Sequence, residues 1–177
     1  MNNSDRNSER KFTIAKLELR KFDTWDIVIL SIFTLAVVSY LVLDEYHSEK
    51  RFQITYFSSF AAAFLIFTTA FGLRFRNIKF SVIWLILSLM FLYENYPIAQ
   101  IPLLGFVSYH IVRLIFWKMY KKEFIPYELG RGGLFRYISK IEKKGGNKTD
   151  RLFTKILLAI ESVIFTYGIS SLVGIKV

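Results

Sequence analysis

The chain has 177 residues, a formal charge of +10 and a hydrophobic fraction of 53%. It contains no cysteine and only two histidines, which excludes disulfides, thiolate metal sites, iron–sulfur clusters and thiol nucleophiles and argues against a histidine-rich metal centre. Its length fits a single domain.

Residues 1–23 read as a cytoplasmic N-terminal segment, partly disordered. The first ten are polar and rich in Asn and Ser. Lys11–Phe22 then mixes Phe12, Ile14, Leu17, Leu19 and Phe22 with Lys16, Arg20 and Lys21, as an interfacial segment does, and Trp25 suits the headgroup level. Apolar runs follow at Thr24–Leu43, Phe52–Gly72, Ile78–Tyr93, Ile98–Trp117 and Leu152–Gly174. A helix needs roughly 20 apolar residues to cross a hydrocarbon core of roughly 30 Å. Four of the runs reach that length. The third is short, and Lys79 at one end and Tyr93 at the other complete it at the interfaces. The first run follows 23 polar residues and precedes no small-residue cleavage pattern, so it is expected to stay as a membrane helix rather than be removed as a signal peptide.

The expected fold class is therefore all-α, a polytopic transmembrane helix bundle. It has four helices within residues 24–117 (24–43, 52–72, 78–93 and 98–117), a basic loop 118–151, and a fifth helix with a short outer tail over 152–177. Lys and Arg number 6 before the first run, then 2, 3 (Lys79 included), 0 and 10 in the successive connections. That alternation places the N-terminus in the cytoplasm and the protein in the cytoplasmic (inner) membrane. It also accounts for most of the positive charge without nucleic acid. By the same asymmetry the outer connections are acidic. Asp44, Glu45, His47, Glu49 and Glu94 thus need no metal to explain them, and their spacing is irregular for oxygen ligation.

The loop 118–151 is broken by Pro126, by Gly130-Arg131-Gly132-Gly133 and by Gly145-Gly146-Asn147. Between the breaks Leu134, Phe135, Ile138 and Ile141 share one helical face. Arg131, Arg136, Lys140, Lys143 and Lys144 surround it, as a short amphipathic helix presenting bases to anionic headgroups of the bilayer or to a cytosolic protein partner.

The last run carries Lys155 and Glu161, and an acid near mid-membrane is costly. The alternative architecture is four spans plus a C-terminal interfacial helix. The run has no polar half, however, and its polar residues are mostly small, which favours a fifth span. His110 lies about 10 Å from the cytoplasmic end of its run and Glu161 about 13 Å from the start of its own, by the helical rise per residue. Arg113 is one turn from His110. These depths predict an intramembrane polar cluster of Glu161 with His110 or Arg113, Lys155 lying nearer the surface. No Ser/His/Asp arrangement, paired carboxylate or phosphate-binding loop appears at a usable spacing, so neither a reaction nor a cofactor is expected. The functional expectation is a homo-oligomeric pore, permeability or ion-conducting component acting as effector or accessory of a cytosolic partner. A non-transporting membrane anchor or regulatory scaffold is the alternative. A small intramembrane lipid-modifying enzyme ranks last.

Overall fold

The computed structural model describes residues 17, 19, 21–42, 50, 53–59, 61, 73–93, 97–126 and 147–170. Helix α1, Thr24–Val42, starts where Asp23 and Asp26 form a reciprocal cap. The Asp26 N–H donates to Asp23 Oδ1 at 2.6 Å, and the Asp23 N–H donates to Asp26 Oδ2 at 3.1 Å. A 3₁₀ turn, Leu73–Arg76, leads into α2, Ile78–Met90, whose first turn is capped by the Asn77 side chain accepting from the Lys79 N–H at 3.2 Å. Helix α2 tightens into a second 3₁₀ turn at Phe91–Tyr93. A third, Pro97–Gln100, opens α3, Ile101–Tyr120, with Pro102 in the first turn, where no N–H is needed. Lys121 ends α3 in a left-handed conformation (φ 52°), its N–H returning to Trp117 O at 2.9 Å. Helix α4, Lys148–Ser170, begins after Asn147, whose N–H donates to Asp150 Oδ2 at 3.2 Å.

Two registers define the bundle. Helix α1 runs parallel to α2 at a constant offset. Arg74 meets Asp23, the Phe33 ring lies 4.5 Å from Trp84, and Tyr40 lies 5.1 Å from Phe91. Helix α4 runs antiparallel to α3, so that equal steps down one are equal steps up the other. Lys122 Nζ donates to Thr149 Oγ1 at 3.0 Å, Phe116 and Phe153 meet edge to face at 5.0 Å, Ser108 meets Glu161, and Gly168 faces Ile101. Helix α2 also packs on α3, where the Trp84 indole N–H donates to the Pro102 carbonyl at 3.3 Å.

The exterior is apolar and the interior carries charge, the reverse of a water-soluble bundle. Ile32, Leu35, Val42 and Val163 stand 63–75% exposed, whereas Asp26, Arg74, Arg113 and Glu161 are buried to 3% or less. Among the described residues three helical segments are long and apolar enough to cross a membrane: Thr24–Val42, Pro97–Tyr120 and Lys148–Ser170, of 19, 24 and 23 residues. These match the first, fourth and fifth expected runs, the last starting four residues early because its cap sits at Asn147. The third run is helical over Ile78–Tyr93 but shorter than a full crossing, as its length in the sequence implied. Of the second run, residues 53–59 and 61 are helical and the rest lies outside the described residues.

Phe75 is the packing hub. Its ring lies 5.2–5.7 Å from Phe80, Trp84, Phe106 and Tyr109, wedging the turn before α2 between α2 and α3. Beyond Lys121 the chain folds back under the bundle, and Phe124 packs on Phe116, Tyr109 and Phe153. The first part of the expected basic loop is thus buried structure: Phe124 and Ile125 belong to the core.

Candidate functional site

Three groups of polar residues lie where the exterior would predict apolar ones. The first is a layer of ion pairs at the end of the bundle formed by the starts of α1, α2 and α4 and the end of α3. Arg74 Nη1 donates to Asp23 Oδ1 at 2.7 Å and also bonds Asp26. Arg113 Nε donates to Glu123 Oε1 at 2.8 Å, and Arg76 Nε lies 3.7 Å from the same oxygen. Asp23, Arg74, Arg76 and Glu123 come from connections, and each is drawn inward by a partner on another element. The Tyr109 hydroxyl is buried within electrostatic reach of Arg76, Arg113 and Glu123 and makes no hydrogen bond among the described residues. Buried pairs like these specify an arrangement more than they add net stability.

The second group is Glu161 on α4 and Ser108 on α3, hydrogen-bonded across the helix interface and buried. The Ser108 hydroxyl also lies 2.9 Å from the Gly105 carbonyl. The expected cluster of Glu161 with His110 or Arg113 is not what the structure assembles. Arg113 turns to Glu123. His110 sits against Phe106, Tyr109 and Phe75, and its Nε2 has no hydrogen-bond partner among the described residues. Depth along α3 was sound to within one turn, but Ser108 and His110 are two residues apart and so point to different sides of the helix. Lys155 is exposed on the outside of α4, away from Glu161.

The third group is the outward face of α4. Lys148, Arg151, Lys155, Ala159, Ser162 and Thr166 recur at steps of three and four, so they form one line along the helix, and all are exposed. The outward faces of α2 and α3 are apolar between their end residues: Val82, Ile86 and Leu89 on α2, and Val107, Ile111, Leu114 and Ile115 on α3. Helix α1 adds Ser31 and Thr34 in a shallow groove beside Phe22 and Ile83, without charge. Charge is segregated across α4. Its two acids, Asp150 and Glu161, face the bundle interior, and its three bases face out. The packing of α4 on α3 through Phe153, Glu161 and Gly168 sets this rotation, and Asp150, one turn before Phe153, is turned inward with them.

Among the described residues no group of three His, Cys, Asp or Glu side chains converges on a metal-sized site. Arg131, Arg136, Lys140, Lys143 and Lys144, and the outer acids with His47, lie outside the described residues. The signal for Asp26 and Arg74 was present in the sequence as an acid inside the first run and an arginine beside the third, but nothing there paired them. No protein-family model, curated protein or solved structure matches this chain.

Proposed function

We propose that this protein is a five-span protein of the cytoplasmic membrane, N-terminus inside, whose copies associate through the outward face of α4 and pass a small ion along it, as effector or accessory of a cytosolic partner. The observation that carries the reading is the polar line from Lys148 to Thr166 on the outside of a membrane-long helix. A lysine at the centre of a lipid-facing helix costs about 2.5–3.5 kcal/mol, and less when its chain reaches toward the headgroups. Lys155, about 10 Å from the start of α4 by helical rise, relieves part of that cost by snorkelling. Ser162 and Thr166 continue the line about two and three turns deeper. A second copy facing the same line, with water between, relieves what remains of the Lys155 cost. The antiparallel seat of α4 along the whole of α3 supports a spanning rather than a surface helix. The alternation of basic and acidic connections supports the orientation.

The alternative, a non-conducting anchor or scaffold, draws on a separate observation. The Ser162 and Thr166 hydroxyls donate to Leu158 O and Ser162 O of their own helix, each at 2.8 Å, which suits a dry contact between copies. Purified protein reconstituted in liposomes separates the two. The proposal expects a homo-oligomer by light scattering in nanodiscs and release of an ion gradient. A monomer with no flux refutes it, and an oligomer with no flux leaves the scaffold.

A further inference from the structure

The shallow groove on the exposed side of α1 and α2 has an apolar length and a basic mouth. Its floor is Ser31 and Thr34, set between the larger Ile27, Leu35 and Val38, and Ile83 is its wall on α2. From Ile27 to Val38 the groove runs about 16 Å by helical rise, close to half of a hydrocarbon core of roughly 30 Å. That is the depth one acyl chain covers within a single leaflet. Trp25, 48% exposed and half a turn before Ile27, sets the mouth at the headgroup level, where indole rings collect.

Two lysines stand at that mouth. Lys21 immediately precedes the lining residue Phe22, and Lys79 lies four residues, one turn, before Ile83 on the same face of α2. Both are exposed. The parallel register of α1 and α2 brings them to the same end of the groove, as the pairing of Arg74 with Asp23 shows. The acids at the start of α1, Asp23 and Asp26, are turned to Arg74, and Lys21, Arg74 and Lys79 outnumber them. We infer that this groove is a binding site for an anionic phospholipid, its phosphate between Lys21 and Lys79 and one acyl chain along Ser31 and Thr34. Basic sites between membrane helices select anionic headgroups in this way. The lysine stems lie along the apolar wall while their ammonium groups reach the phosphate. A soluble phosphate would leave the apolar length unused. The inference rests on α1 crossing the membrane and is independent of conduction.

The experiment places the full chain in phosphatidylcholine nanodiscs. These carry a trace of phosphatidylglycerol, or of phosphatidylcholine, with a diazirine midway along one acyl chain, and the adducts are located by peptide mass spectrometry. Adducts at Thr34, Leu35 and Val38 are expected to favour phosphatidylglycerol by about five-fold for each lysine. Ile32, 63% exposed on α1 and outside the groove, is expected to react equally with both lipids. Lys21→Gln and Lys79→Gln should each lower the preference about five-fold, and the arginine variants should keep it. Thr34→Trp fills the groove from an exposed position and should remove the adducts there while leaving those at Ile32. Equal yields from the two lipids in the groove, or a preference unmoved by both glutamine variants, overturn the site. Adducts at Ile32 with none in the groove also overturn it, since another segment of the chain or a second copy then fills the space. No adduct at Ile32 from either lipid overturns the membrane reading of α1 itself.

Discussion

Replacing Arg74 by methionine removes the cation that Asp26 faces in the first turn of α1. The structure sets the size of the effect. Asp26 has no exposed side-chain area, Arg74 has 4%, and the arginine reaches Asp23 as well, at 2.7 Å. Breaking a buried pair by deleting one partner costs about 3–5 kcal/mol, because a desolvated charge is left behind. Replacing both partners by apolar groups of similar volume is close to neutral. Arg74→Met and Asp26→Leu are therefore each expected to destabilise by about 3–5 kcal/mol, and the double variant by less than either alone. That corresponds to a coupling of about 3 kcal/mol or more, at or above the upper end for contacting residues. Arg74→Lys should fall between, since a lysine keeps the charge but cannot fork to two carboxylates. The measurement is loss of helical circular dichroism in mixed micelles as the denaturing detergent fraction rises, fitted for each member of the cycle. Additive single effects, or an Arg74→Met cost below about 1 kcal/mol, would refute the reasoning, since they would place the pair in water.

Ser108→Ala should cost about 1–3 kcal/mol by leaving the Glu161 carboxyl buried without its partner, while Glu161→Gln, which retains a hydrogen-bonding oxygen, should cost under about 1 kcal/mol; the same unfolding assay ranks them, and the reverse order would rule out the clasp. A Cβ at Gly168 would stand 2.6 Å from Ile101 Cδ1 and 3.1 Å from its Cγ1. Gly168→Ala is accordingly expected to destabilise by about 1–3 kcal/mol through overpacking, and Ile101→Val in the same chain to recover part of it, a thermal shift in detergent giving the comparison. If Gly168→Ala raises the transition instead, α4 does not approach Ile101 this closely.

The positions of three long helices were legible because apolar run length and helical rise are properties of the chain alone. Apolar runs located α1, α3 and α4, and the rise per residue placed Glu161 at the level of α3 where its partner sits. The identity of the partner was not legible. It depends on the rotation of two helices about their axes, and a single serine among apolar residues gives no warning that it will meet an acid. Arg74 and Arg76 show the limit of counting charge. They belong to the positive-inside tally, yet both are buried, held by Asp23, Asp26 and Glu123 and by the Phe75 ring between them. The tally responds to where a segment lies relative to the bilayer and is blind to whether it lies on the bundle or inside it. The outward line of α4 was hidden for the opposite reason. Its hydroxyl residues suggested a helix interface, but which of them faced out waited on how α4 packs against α3.

The pairing of Arg74 with Asp26 also bears on how the protein is made. The partners are 48 residues apart in the chain, and at synthesis rates of about 5–20 residues per second the first helix exists for about 2–10 s before its arginine is added. During that interval Asp26 depends on the reciprocal cap with Asp23 and on water at the membrane surface. The start of α1 thus waits for the turn before α2, and closing the pair fixes the two helices parallel. Completion of this end of the bundle therefore waits on translation, and slowing the ribosome between Asp26 and Arg74 would lengthen the interval before the pair can close.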